Sequence, residues 1–169
     1  MSREGALLVM VAVAVVLVAL GLWAWRRRAR RDRGLVAPVA EAPSGTVETT
    51  THSVLYVATT RHDEPLERLA IRGLAFRSRA DVVVTDRGVA LDLTGQPRVF
   101  LATASLMAVD RATVAIDRVV EKAGLARIVW RLGDTVVDTY LRPQDIATGA
   151  LVASLATALP APTPTGTDA

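Results

Sequence analysis

The chain has 169 residues, 51% of them apolar, with 20 Lys and Arg against 17 Asp and Glu and no cysteine. The missing cysteine excludes disulfides, thiolate metal sites and a thiol nucleophile. The basic charge is concentrated: Arg26–Arg33 holds six arginines against Asp32 alone, whereas residues 51–159 hold 13 basic and 12 acidic residues. That near-neutral balance speaks against a nucleic-acid binder, which needs a basic face on its folded part.

After a short segment 1–5, Ala6–Trp25 is a run of twenty uncharged residues. At about 1.5 Å per residue it makes roughly 30 Å of helix, the thickness of a bilayer's hydrocarbon core. The charge follows the apolar run rather than preceding it, opposite to a cleaved secretion signal. Basic residues stay on the cytoplasmic side, so a retained single span in the plasma membrane is expected, with the N-terminus outside and the C-terminal part in the cytoplasm. Arg26, Arg27, Arg28, Arg30, Arg31 and Arg33 are then expected to contact anionic lipid headgroups. Gly5, Ala12 and Ala19 recur every seven residues, a small-residue stripe that is one route to a homodimer through the anchor.

Residues 26–51 form the basic flank and a linker rich in Pro, Gly and Thr without apolar periodicity. Residues 52–159 carry mostly strand patterns. Ser53–Ala58 is β-rich; Phe76, Ser78, Ala80, Val82 and Val84 alternate with Arg77, Arg79 and Asp81. Val89, Leu91 and Leu93 follow the turn at Asp86–Gly88, and Val99–Leu101 and Leu106–Asp110 add short strands. Ile128, Trp130 and Leu132 alternate ahead of the Gly133-Asp134 hairpin into Thr135–Leu141. About seven antiparallel strands in a sandwich or barrel are predicted. Two helices are predicted as well. One is capped by Asp63, with Pro65 in its first turn and Leu66, Leu69 and Ala70 on its apolar side. The other, Asp145–Ala158, carries Leu151, Val152, Leu155 and then Leu159 at helical spacing and is expected to close the barrel. Ala112–Gly124 is expected either to cover a barrel edge or to form a loop that meets a protein partner, and residues 160–169 to form a disordered tail.

Taken in order, Tyr56–Thr60, Leu66–Arg68, Arg72–Leu74, Arg77–Val84, Ala104–Leu106, Gly124-Leu125, Val129–Gly133 and Asp138-Thr139 with Arg142 resemble small actinobacterial membrane proteins. Those proteins have one span and a bacterial PH-like domain, and are often labelled transporters. Tyr140 stands where that family carries a glycine after the Asp-Thr pair. The resemblance implies a PH-like barrel over 52–159 and no established activity, since such folds host lipid, peptide and protein binding alike.

His62 lies in Arg61-His62-Asp63-Glu64 without a second cluster in the sequence, so a turn and helix cap is expected there rather than a metal site. No Ser-His-Asp, glycine-rich phosphate-loop or zinc-protease signature is present, and neither enzymatic activity nor a cofactor is expected. Arg72, Arg77 and Arg79 are the candidate contacts for a headgroup or partner. The expected function is a membrane-anchored PH-like module that presents its β domain to a protein, peptide or headgroup. The alternative is an accessory subunit of a transport or export system, because a single span without an ionisable residue forms no pathway alone.

Overall fold

A computed structural model describes residues 3–31, 34–115, 118–119 and 124–161. The chain divides into two compact units, Met1–Gly34 and Leu35–Ala169.

The first unit is one helix, α1 (Arg3–Arg31). Within it, Leu7–Arg27 is long and apolar enough to cross a membrane, and its side chains are exposed. Nothing within the unit buries these side chains, which is the condition lipid satisfies. The helix carries on through the basic flank, where the Arg27 guanidinium lies 5.5 Å from the centre of the Trp23 ring, a cation–π distance. Arg33 and the tail from residue 162 lie outside the described residues.

The second unit is an antiparallel sheet wrapped around one core. Its strands are β1 (Glu48–Arg61), β2 (Glu64–Arg68), β3 (Ser78–Thr85), β4 (Gly88–Leu93), β5 (Val99–Ala102) and β6 (Leu106–Ala112), followed by β9 (Leu125–Leu132) and β10 (Thr135–Pro143). The sheet order is β5-β4-β3-β1-β10-β9-β6, with β2 paired to β1 beside this path. Between β6 and β9 lies a separate small hairpin, β7 (Val114–Ala115) with β8 (Arg118–Val119). The other apolar residues of Ala112–Gly124, expected to cover a barrel edge, fall largely outside the described residues. The long β1 joins the two halves: its first part pairs with β3, and its later part pairs with β10 on one side and β2 on the other.

Alternate residues face inward, as a sheet with one buried face requires. Val82 and Val84, Val89 and Leu91, Ile128 and Trp130 all lie in the main core. Helix α2 (Thr148–Ala156) closes this core with Leu151 and Leu155, packing on β6, β9 and β10. The mainly-β architecture with a closing C-terminal helix is therefore as predicted.

Two local expectations are overturned. The helix expected from Asp63 is the strand β2. His62 and Asp63 form a two-residue turn between Arg61 and its partner Glu64. Asp63 adopts a left-handed backbone (φ 58°), which turns the chain back instead of starting a helix. Once β1 parts from β3, its outer side needs a new hydrogen-bonding partner, and β2 supplies it; Pro65 is tolerable on such a short flanking strand. Phe76, expected on one strand face with Ser78, Ala80, Val82 and Val84, precedes β3 and is 81% exposed.

The segment expected as a free linker is partly docked. Ala37 is buried in the main core, Val39 bridges to Val99, and the Phe100 amide donates to the Pro38 carbonyl at 3.0 Å. Ala42 packs on Val83, Ala90 and Phe100, and Glu41 reaches Arg98 at 3.6 Å. The Val47 and Asp86 amides exchange bonds with the Asp86 carboxylate and Val47 carbonyl at 3.0 and 3.2 Å. Residues 35–47 thus form a strap on the barrel, and β1 begins at Glu48, ahead of the boundary expected at 52.

Candidate functional site

The loop from Leu69 to Arg77 is held by its apolar residues. Leu69, Ile71 and Leu74 are fully buried, and the Leu74 amide donates to the Ile71 carbonyl at 3.0 Å. The Tyr56 hydroxyl donates to the Leu74 carbonyl at 2.7 Å, and Arg68 donates to the carbonyls of Ala75 and Val57 at 3.4 and 2.5 Å. With these residues fixed inward, Arg72, Phe76 and Arg77 are left exposed on the other side.

There they line an open cleft of about 530 Å³ together with Ser78 and, from the β4–β5 turn, Thr94 and Gln96. Two cations, several neutral hydrogen-bonding groups and one exposed aromatic ring face the same space. Guanidinium groups bind phosphate or carboxylate oxygens through paired N–H donors. The cleft is therefore chemically matched to an anionic group carried on something apolar.

Of the three arginines singled out from sequence, the fold brings Arg72 and Arg77 together and separates Arg79. Arg79 lines a neighbouring cleft of about 330 Å³ with Asp81 and Asp92. Asp81 accepts from Ser53 Oγ at 2.8 Å, and Asp92 holds Arg98 through two bonds of 2.7 Å. Carboxylates beside Arg79 oppose an anion, so it drops out of the candidate site.

A second constellation escaped the sequence reading. The sequence around His62 offers it no such partner, but β10 delivers Asp138 to it: Nδ1 lies 2.8 Å from Asp138 Oδ1. The Asp63 amide donates to Asp138 Oδ2 at 3.3 Å, and Arg127 Nη1 lies 3.5 Å from the same oxygen. Arg127 in turn grips Asp110 through Nε and Nη2 at 2.8 and 2.5 Å, and this bonding raises its pKa further. The Asp138 side chain is fully buried, so these partners replace water around its charge. Beside them, Tyr140 has its pKa raised, chiefly by burial and then by the Asp138 charge. The resemblance had drawn attention to the Asp138–Arg142 segment, but no local pattern links residues so distant in sequence.

The profile of the bacterial PH domain-like family matches residues 36–156. The chain belongs to this family, and the β barrel with its closing helix is the family's domain. No curated protein matches the chain. A solved structure, the C-terminal domain of an unknown protein from Leishmania infantum, is similar at 9% identity and a TM-score of 0.43, covering 80% of this chain and 94% of that one.

Proposed function

We propose that the protein is a membrane-anchored PH-like module, binding rather than catalytic, whose cleft receives an anionic lipid headgroup. The observation that carries this reading is the convergence of Arg72, Arg77 and the exposed Phe76 on one cleft. Cations beside an exposed aromatic ring suit the interfacial zone of a bilayer, where the ring enters the acyl boundary and the cations meet phosphates. Tethering by α1 keeps the domain at high effective concentration near lipid, so a weak contact suffices. The arginines after the span support placing the N-terminus outside and the domain in the cytoplasm.

Because the chain lacks cysteine, Phe76→Cys accepts a single environment-sensitive fluorophore. In full-length protein reconstituted in phosphatidylcholine nanodiscs, adding phosphatidylglycerol is expected to shift the emission to that of an apolar environment. Arg72→Ala with Arg77→Ala is expected to abolish the shift. A label that remains aqueous at every lipid composition rejects the headgroup reading. The orientation is tested separately at Ser44, an exposed turn residue. Ser44→Cys in intact cells is expected to resist an impermeant maleimide until the cells are opened; labelling of intact cells reverses the topology.

A further inference from the structure

We propose that the β1–β2 turn binds a divalent transition-metal ion, with His62 Nε2 and the Asp63 carboxylate as its protein ligands and Asp138 as the residue that positions the ring. Asp138 is a carboxylate flanked by a guanidinium and an amide donor, so its Oδ1 accepts from His62. In the neutral ring this puts the proton on Nδ1 and leaves the lone pair on Nε2. A buried carboxylate bonded to one imidazole nitrogen is the arrangement that fixes ring direction and raises ligand basicity when the other nitrogen binds metal.

Nε2 lies 3.5 Å from Asp63 Oδ2. In that tautomer the contact sets two lone-pair donors against each other, which is unfavourable until a cation bridges them. Two ligands each about 2.1 Å from a tetrahedral ion are themselves roughly 3.4 Å apart, so the spacing fits one ion with little rearrangement. His62 and Asp63 are 39% and 78% exposed, so an ion reaches them directly from solvent. The Asp138 carboxylate stays within the same group, all three ligand atoms lying within 4.8 Å of one another. Arg127 beside it balances its charge and keeps it in the supporting role. An imidazole and carboxylate pair selects zinc, cobalt or nickel over calcium or magnesium, and water fills the remaining positions.

The test is titration of tag-free, full-length protein in detergent with Zn²⁺ by calorimetry and with Co²⁺ by visible absorption. One-to-one saturable binding is expected. It should weaken at least about tenfold in His62→Gln and in Asp63→Asn, and about 10–100-fold in Asp138→Asn. His52→Gln, in which the other histidine is changed, should bind as the parent does. His62→Gln and Asp63→Asn alter exposed side chains, so they carry the test even if Asp138→Asn fails to fold. Absence of saturable binding up to about 1 mM metal, or full binding by His62→Gln, overturns the proposal.

Discussion

Trp130 on β9 donates its indole proton to the Thr139 hydroxyl on β10 at 2.8 Å, and both side chains are buried. The contact is one end of a chain of hydroxyls. Thr139 and Thr59 are 2.9 Å apart, Thr59 and Tyr56 2.9 Å, and Tyr56 reaches the Leu74 carbonyl at 2.7 Å. An indole N–H only donates and a carbonyl only accepts. The Tyr56 hydroxyl therefore donates toward the Leu74 carbonyl and Thr59 Oγ1, and Thr59 and Thr139 share the bond between their hydroxyls. The chain ties the cleft's loop to the centre of the barrel.

Thr139→Val interrupts this chain, leaving the Trp130 donor without its partner and the Thr59 hydroxyl without its bond to Thr139. A loss of about 1–3 kcal/mol of stability is expected, measured by chemical denaturation of the full-length protein in detergent. Tyr56→Phe, which strands the Leu74 carbonyl, is expected to cost a similar amount and also to raise hydrogen exchange in the Leu69–Arg77 loop.

Two arginines separate an ion pair that matters from one that does not. Arg98 faces Asp92, whose side chain is 32% exposed and rehydrates when its partner is removed. Arg98→Met is expected to cost under about 1 kcal/mol. Arg127→Met instead deprives the fully buried Asp138 of its neighbouring cation and should cost about 2–3 kcal/mol. Equal losses in the two variants would contradict this reading.

Alkaline pH should destabilise the fold. Burial raises the pKa of both Tyr56 and Tyr140 above the ordinary tyrosine value. Above about pH 10 the unfolded chain loses phenolic protons that the folded chain still holds. Stability from these groups is therefore complete below pH 10 and falls as pH rises beyond it. Denaturation curves between pH 8 and 11 should show that decline, and Tyr56→Phe should make it shallower.

Two glycines should respond unequally to alanine. A Cβ on Gly88 (φ 151°) would sit 2.1 Å from the Leu101 carbonyl oxygen, a backbone atom of the paired strand. Gly88→Ala is expected to cost more than about 2 kcal/mol. On Gly149 the obstacle is the end of the Arg111 side chain, which swings away. Gly149→Ala in α2 should change stability by no more than about 1 kcal/mol, since the gain in helix propensity offsets displacement of the guanidinium. Thermal melts of both variants check the contrast.

Where side chains alternate between core and surface, the fold was legible in the sequence. Ile128, Trp130 and Leu132 announce β9, and Leu151 and Leu155 announce α2. Residues Leu66, Leu69 and Ala70 misled because helical spacing arose by chance across a strand and the loop after it; Leu66 is exposed while Leu69 is buried. The cleft was half legible: Arg72 and Arg77 meet, but the acids around Arg79 come from β3 and β4 together. The bond between His62 and Asp138 depends on the register of β1 against β10, which no local pattern encodes.

The strap has a consequence for how copies of the chain behave side by side. β5 ends the sheet, and an end strand with vacant amides is a template for another molecule's strand. Confined to one plane by the proposed anchor, neighbouring copies would meet that template often. Pro38 answers the Phe100 amide with its carbonyl yet has no N–H to pass the ladder on. The barrel therefore ends on this side in a stopper supplied by its own chain, which occupies the Phe100 amide that another molecule's strand would otherwise use.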